Sequence, residues 1–345
     1  MPRPPKEVLK GARGATIEDV AASAGVSMAT VSRALRGLSN VAPDTRARVE
    51  AAAAALQYRP DPNAARLAAG NSRAIGVAVP FLGAWYFSQV LAGTEAVLAP
   101  AGYDLLVYAA AEPGDRRRFL SDALPVRKRV DGLVLVDIHL PPDDADAWAA
   151  SGVCVVTIGQ RTESFPSVLI DNRTAAATAV RHLVELGHRE IALIDSADDR
   201  FHFTVPELRR QGCQDALHEA GLSLRPEHVA HGRFTVDSGR EAMEALLDAP
   251  VRPTAVFACS DEMAIGALQA ARTRGLQVPG DVSVVGFDDH DLSSAIGLTT
   301  IRQPVADIGA QAASLLLAEL AAGEPTRDHA VMPTELVVRG STGPA

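Results

Sequence analysis

Seven apolar runs that alternate with helical stretches constrain the fold of this chain more than any other feature. From Ala74 onward they are AIGVAVP (74–80), YDLLVYA (103–109), DGLVLVD (131–137), VCVVTIG (153–159), EIALID (190–195), TAVFAC (254–259) and DVSVVGF (281–287). Between them, segments 174–186, 208–220, 239–247 and 263–274 carry Ala, Leu and Arg at helical spacing. Continuously apolar strands separated by helices must be covered on both faces, which predicts parallel sheets in an α/β fold. About 270 residues of this texture exceed one comfortable doubly wound domain, so two similar lobes are expected.

The head of the chain has a different texture. Thr16–Tyr58 reads as three short helices. Thr16 can cap the first, with Asp19 three residues on as a near capping box, and Val20, Ala21 and Ala24 form a narrow face of small apolar residues. Gly25 supplies the positive φ that a sharp turn needs. Ser27 caps a second helix that carries Val31 and Leu35. A third opens at Pro43 and runs through Val49, Ala52, Ala53 and Leu56 to Pro60 and Pro62. Residues 61–73 form a joint too short to be a stable isolated helix.

Charge separates the same two parts. The whole chain carries −9, which by itself argues against a nucleic-acid partner. Residues 1–73, however, hold 11 Lys and Arg against 6 acids, a surplus of +5, so the remainder carries −14. A basic head on an acidic body is the distribution expected when one end meets a polyanion. With 47% hydrophobic and 22% charged residues, a disordered chain is excluded. Cys154, Cys213 and Cys259 have neither metal spacing nor a disulfide framework and read as reduced thiols. The opening MPRPPKEVLKGARG lacks the apolar core of a signal peptide, and no apolar run reaches the ~18 residues of a membrane span. A soluble, cytoplasmic protein is expected.

The segment TIEDVAASAGVSMATVSRAL (16–35) meets the physical requirements of a helix-turn-helix. It has a small residue, Ala21, at the helix crossing, Gly25 in the turn, and Val20, Val26, Val31 and Leu35 expected to be buried. Its second helix presents Ser27, Thr30, Ser32 and Arg33, with Met28 and Ala29 at the exposed tip. An ordinary helical hairpin is the plain alternative. Enzymatic signals are lacking. His182, His188, His202, His218, His228, His231 and His290 never take a metal spacing, and no GxSxG elbow, Walker loop or GxGxxG after a strand occurs. No catalytic residue, metal or cofactor is expected.

These segments together resemble the LacI/GalR family of bacterial transcriptional regulators. The resemblance rests on 16–35, on TRARVEAAAAALQYRPDPNAARLAAG after it, and on IGVAVP opening the body. It continues through LeuIleAspAsn (169–172), HLVELGHREIALI (182–194), SDEMAIGA (260–267), DVSVVGFDD (281–289) and LTTIRQP (298–304), nearly the whole chain. It implies a helix-turn-helix head (1–60), a hinge (61–73) and a body like the periplasmic sugar-binding proteins, two doubly wound parallel-sheet lobes joined by three crossings. The first lobe would comprise 74–173 and 303–326, the second 174–302 and 327–345.

Carried over by position, Met28, Ala29 and Arg33 would read bases in the major groove, while Ser27, Thr30, Ser32, Asn40 and Thr45 would contact phosphates. Leu67, beside small Ala64 and Ala68, would wedge into the minor groove. Pro62 and Asn63 depart from the family's small or branched residues, which leaves the hinge helix length open. In the body, Tyr86 and Phe87 would wall the effector, Arg209 would clamp a ligand oxygen, and Phe234 would stack on a ring. Ser260 and Asp261 would open a helix at the cleft, and Asp288 would accept from hydroxyls.

The resemblance implies a homodimeric repressor on double-stranded operator DNA, with affinity set by a small effector, a sugar or sugar derivative. A purine or nucleoside is the alternative within the family; the arginine of purine-binding relatives falls at Phe203, although Arg200 lies near. A solute-binding receptor, which would need a signal peptide and no head, is the remote alternative.

Overall fold

The computed structural model describes residues 15–38, 40–58, 72–110, 119–121, 124–196, 204–323 and 326–345. The chain forms two compact units, Met1–Ser72 and Arg73–Ala345. The hinge positions Pro62, Asn63, Ala64, Leu67 and Ala68 lie outside the described residues, as do Arg200 and Phe203.

In the first unit, α1 (Ile17–Ala24), α2 (Met28–Leu35) and α3 (Pro43–Ala55) enclose a small core. Thr16 and Asp19 form a reciprocal capping box, and Gly25 ends α1 in left-handed backbone, φ +64°. Ser27 Oγ accepts the Thr30 N–H at the start of α2. Val20, Val31 and Val49, one from each helix, are wholly buried together with Ala21, Ala24, Ala34, Ala52 and Ala53. The expected burial differs in detail. Val26 and Leu35 only pack against the edge of this core, and Leu56 is exposed. Three closely crossing helices this short have interior room mainly for Val and Ala, so the larger leucines sit at the rim.

The second unit contains two six-stranded sheets. The first has the order β11-β5-β4-β3-β1-β2, built from β1 (Ala74–Val79), β2 (Asp104–Ala109), β3 (Gly132–Val136), β4 (Cys154–Ile158), β5 (Ser167–Ile170) and β11 (His329–Met332), all parallel. Its helices include α4 (Trp85–Leu98), α5 (Pro142–Ser151) and α11 (Val305–Ala322). The second has the order β12-β10-β9-β8-β6-β7, from β6 (Ile191–Ser196), β7 (Val229–Gly232), β8 (Ala255–Ala258), β9 (Ser283–Asp288), β10 (Thr299–Arg302) and β12 (Glu335–Val337). Only β12 runs antiparallel. Around it lie α6 (Asn172–Glu185), α7 (Thr204–Glu219), α8 (Val236–Leu247), α9 (Asp261–Thr273) and the short α10 (Asp291–Ile296). The central strands β1, β3, β6, β8 and β9 are buried along their whole length, as their continuous apolarity requires.

The chain passes between lobes three times. The first two crossings fall between Ile170 and Asn172 and between Arg302 and Val305, close to the expected positions. The third does not. β11 pairs in parallel with β5, which places His329–Met332 in the first lobe instead of the second, and the crossing lies between Met332 and Glu335. After α11 the chain must return along the open edge of the first sheet before it leaves, and β5 would otherwise present unpaired main-chain groups there.

By length and composition α11 could cross a membrane, against the expectation that no apolar run is long enough. It is a core helix. Val305, Ile308, Ala312, Ala313 and Leu316 are buried, and the helix lies along α4 and over β3 and β4. The two helices approach through glycine. A Cβ on Gly93 would strike Ala306 O, and one on Gly309 would strike Val90 O.

Candidate functional site

Two surfaces carry chemistry. On the first unit, Met28, Ala29, Ser32 and Arg33 share one face of α2 by their three- and four-residue spacing. Met28 is 49% exposed, and Ala29 and Arg33 are open to solvent. Ser27 is exposed, but its hydroxyl already serves the helix, accepting from Thr30 N at 3.2 Å and bonding Thr30 Oγ1 at 2.9 Å. Asn40 is exposed, and Thr45, near the start of α3, is half-buried. Arg46 Nη2 donates to Leu38 O at 2.6 Å, which ties α3 to the loop after α2. A basic, uncovered helix face held by a valine core can enter a groove as a rigid body.

The second surface is a cleft between the two lobes, where strands of both sheets end. It holds about 730 Å³ of space free of atoms, part of it open to solvent. The carboxyl ends of parallel strands are where open α/β sheets bind a small ligand. The structure brings Tyr86, Phe87, Arg209, Phe234 and Asp288 together there.

Arg209, on α7, is the most constrained of these. Its Nε donates to Asn172 Oδ1 at 2.9 Å and its Nη1 to Cys259 O at 2.5 Å. The guanidinium carbon sits 3.5 Å from the Phe287 ring centroid. It is therefore held flat against an aromatic face before any ligand arrives. The neighbouring Arg210 turns away and pairs with buried Asp195.

Asp288 ends β9 with φ +121°, which costs backbone strain and aims its carboxyl at Arg209. Its Oδ1 accepts from Gln303 Nε2 at 2.6 Å. Burial pushes this carboxyl well above the ordinary range; Arg209 works against the shift, and Glu262 and Asp261 add to it. Tyr86 is likewise raised well above an ordinary phenol, by burial first and then by Asp137 and Asp288. Phe234 occupies a left-handed position, φ +56°, in the loop ahead of α8.

Ser260 and Asp261, expected at the cleft, do not line it. Ser260 Oγ accepts Met263 N–H at 3.3 Å and caps α9. Asp261 Oδ2 accepts from Ser293 Oγ at 2.6 Å and His290 N at 2.8 Å, and its Oδ1 from Thr300 Oγ1 at 2.6 Å. With three donors inside the second lobe, it braces α9, α10 and β10 against one another. The next residue, Glu262, reaches the cleft instead.

Glu262 lines the cleft without being expected there, as do Phe81, Asp137, Gly159, Asn172 and Gln303. Asn172, Glu262 and Gln303 each lie in a segment whose pattern is visible in the sequence, at a strand end or helix start. Asp137 and Gly159 directly follow the apolar runs of β3 and β4. The lobes also meet at the cleft rim, where Trp85 Nε1 donates to Asp291 Oδ2 at 3.0 Å and stacks near His290, ring centroids 4.9 Å apart. No cluster of metal-ligating side chains occurs among the described residues.

Residues 16–61 match the bacterial regulatory proteins of the lacI family, and residues 180–342 match a periplasmic binding protein-like domain. Over 332 residues the chain is 38% identical to the HTH-type transcriptional repressor CytR of Escherichia coli (strain K12), covering 95% of this chain and 96% of that protein. Among solved structures it is similar to the lac repressor dimer bound to operator and the anti-inducer ONPF, with TM-score 0.79, 31% identity and coverage of 96% and 100%. It is also similar to a complex of the transcriptional regulator CelR with cellobiose, with TM-score 0.69, 31% identity and coverage of 95% and 99%.

Proposed function

As a member of the LacI family of bacterial regulatory proteins, the chain is a DNA-binding transcriptional regulator and not an enzyme, and we propose that it is a repressor whose effector is a sugar or sugar derivative. The observation that carries the effector class is the fixed pair of Arg209 and Asp288 beside Phe234. A polyhydroxylated ring can donate hydroxyls to Asp288 and accept from Arg209, while an aromatic face covers its apolar side. The similar regulator CelR is seen with cellobiose, which supports this class.

Effector and operator then act through linkage. Each favours one arrangement of the lobes, so each alters the other's affinity by the same factor. Met28, Ala29 and Arg33 are the proposed base readers, with Ser27, Thr30, Ser32, Asn40 and Thr45 toward phosphates. Two such heads are needed for a pseudo-palindromic operator, and we read the regulator as a cytoplasmic homodimer.

A nucleoside is the second reading. The apolar wall of Phe81, Tyr86, Phe87, Val205 and Pro206 favours it, because a flat heteroaromatic base would fill it. Calorimetry of wild type and Asp288→Ala against a panel of mono- and disaccharides and nucleosides separates the two. The proposed class requires a hydroxyl-rich ligand whose affinity falls roughly tenfold or more in the variant, the loss of about one buried hydrogen-bonded partner. A ligand that binds both proteins equally removes Asp288 from the site, and a purine as the sole hit overturns the carbohydrate.

A further inference from the structure

Asp137 carries chemistry that this binding scheme does not use. It follows β3 in left-handed backbone, φ +49°, and its main-chain N–H donates to Ile158 O at 2.9 Å. That geometry lays its side chain over Gly159. A Cβ at position 159 would run into Asp137 Oδ1, so the neighbouring strand end leaves room for the carboxyl only as glycine. Asp137 borders two spaces, the effector cleft and a smaller recess lined by Ile138, His139, Gln160, Thr204 and Val205.

Two polar side chains close by point to other partners. Gln160 closes on Leu140, its Oε1 accepting from Leu140 N at 2.8 Å and its Nε2 donating to Leu140 O at 3.2 Å. Arg209 directs its Nε to Asn172 and its Nη1 to Cys259. No protein donor among the described residues hydrogen-bonds the Asp137 carboxyl. Tyr86 from α4 and Arg209 from α7 act on it directly, Asp288 from β9 and Glu262 from α9 line the same cleft, and His139 lies on its own loop. Burial raises its pKa to about 7, and Arg209 opposes the rise. The carboxyl is half-buried and receives no protein donor among the described residues, and its neutral form, unlike the carboxylate, offers an O–H.

We propose that Asp137 is a specificity-determining residue of the effector cleft, meeting the effector as a neutral carboxylic acid that donates its O–H to an acceptor oxygen or nitrogen, with Gly159 as the residue that makes room for it. This rests on the effector reading above and adds to it a proton. A ligand held by Arg209 and Asp288 would carry an acceptor atom toward β3, and its affinity would depend on pH near neutrality.

The test uses the full chain with cellobiose, ribose and uridine as probes, titrated calorimetrically between about pH 6 and pH 8. For a probe that binds, affinity should fall roughly tenfold across that range as the acid ionises. Asp137→Asn keeps an N–H donor and should bind with a flat pH profile, while Asp137→Ala should bind more weakly throughout. A pH-independent wild-type affinity, or an Asp137→Ala protein that binds as well as wild type, overturns the proposal.

If no probe binds at any pH, the effector class fails, and ligand-free unfolding decides the state of Asp137. Its folded pKa lies above the ordinary 3.8, so the stability of its neutral form is present at low pH and lost as pH rises through about 7. The melting temperature of Asp137→Asn should therefore climb relative to wild type between about pH 5 and pH 8. A constant difference would mean an ordinary carboxylate and overturns the proposal.

Discussion

Arg209 Nη1 stands 3.8 Å from Asp288 Oδ1, with both side chains only 6% exposed. So deep a pair adds little net stability, because desolvation offsets the attraction, but breaking it from one side is costly. Arg209→Ala should destabilise the body by about 3–5 kcal/mol, since it strands the Asp288 carboxyl and frees Asn172 and the Cys259 carbonyl. Arg209→Lys keeps the charge but not the fork and should cost about 1–3 kcal/mol. Urea unfolding of both variants measures this, and an Ala variant no weaker than the Lys variant would contradict the pinned geometry.

Trp85 and Asp291 give a second test, this time of lobe closure. Their hydrogen bond joins the start of α4 in the first lobe to α10 in the second, and His290 packs on the same indole. Trp85→Phe keeps the ring contact and removes the donor. Lobe closure should weaken by about 1 kcal/mol, read as a roughly fivefold loss in affinity for whichever panel ligand binds. Stability of the separate lobes should hardly change. An affinity identical to wild type would show that the rim contact is incidental to closure.

How much of this was legible beforehand follows from the range of the interactions. Strands β1, β3 and β9 are apolar on both faces and announce themselves. Strands β7, β11 and β12 are three or four residues long, partly exposed and without a period, and nothing local marks them. Helix α11 is apolar around most of its circumference, so no stripe distinguishes it. In the cleft, Arg209, Phe234 and Asp288 follow from motif position. Asp261 was misplaced because an acid opening a helix after a strand looks the same whether it faces a ligand or three internal donors. Those donors, His290, Ser293 and Thr300, come 29, 32 and 39 residues later. Asp137 depends on the absence of a side chain at Gly159, a relation between two strand ends that no spacing rule encodes.

Gly25 isolates a backbone effect in the head. Its φ is +64° and a Cβ there would meet nothing within 4 Å. Gly25→Ala should therefore cost about 1–2 kcal/mol through left-handed backbone strain alone. Ser27→Ala, which removes the α2 cap, should cost about 1 kcal/mol. Thermal unfolding of the full chain should show the head transition shifted and the body transition unmoved. A shift in the body transition would contradict the division into two units.

Arg33 tests the reading face itself. It is exposed on α2 beside Met28 and Ala29, and a guanidinium there can reach a guanine edge with two hydrogen bonds. Arg33→Ala should weaken binding to a selected operator by about 1–3 kcal/mol and relax preference at one base pair. The slope of affinity against salt should change far less, because counterion release is set by phosphate contacts elsewhere on the head. Binding titrations of both proteins at several salt concentrations, on the operator and on a scrambled duplex, separate the effects. Equal losses on both duplexes would make Arg33 a phosphate contact, and no loss on either would place the reading face on another helix.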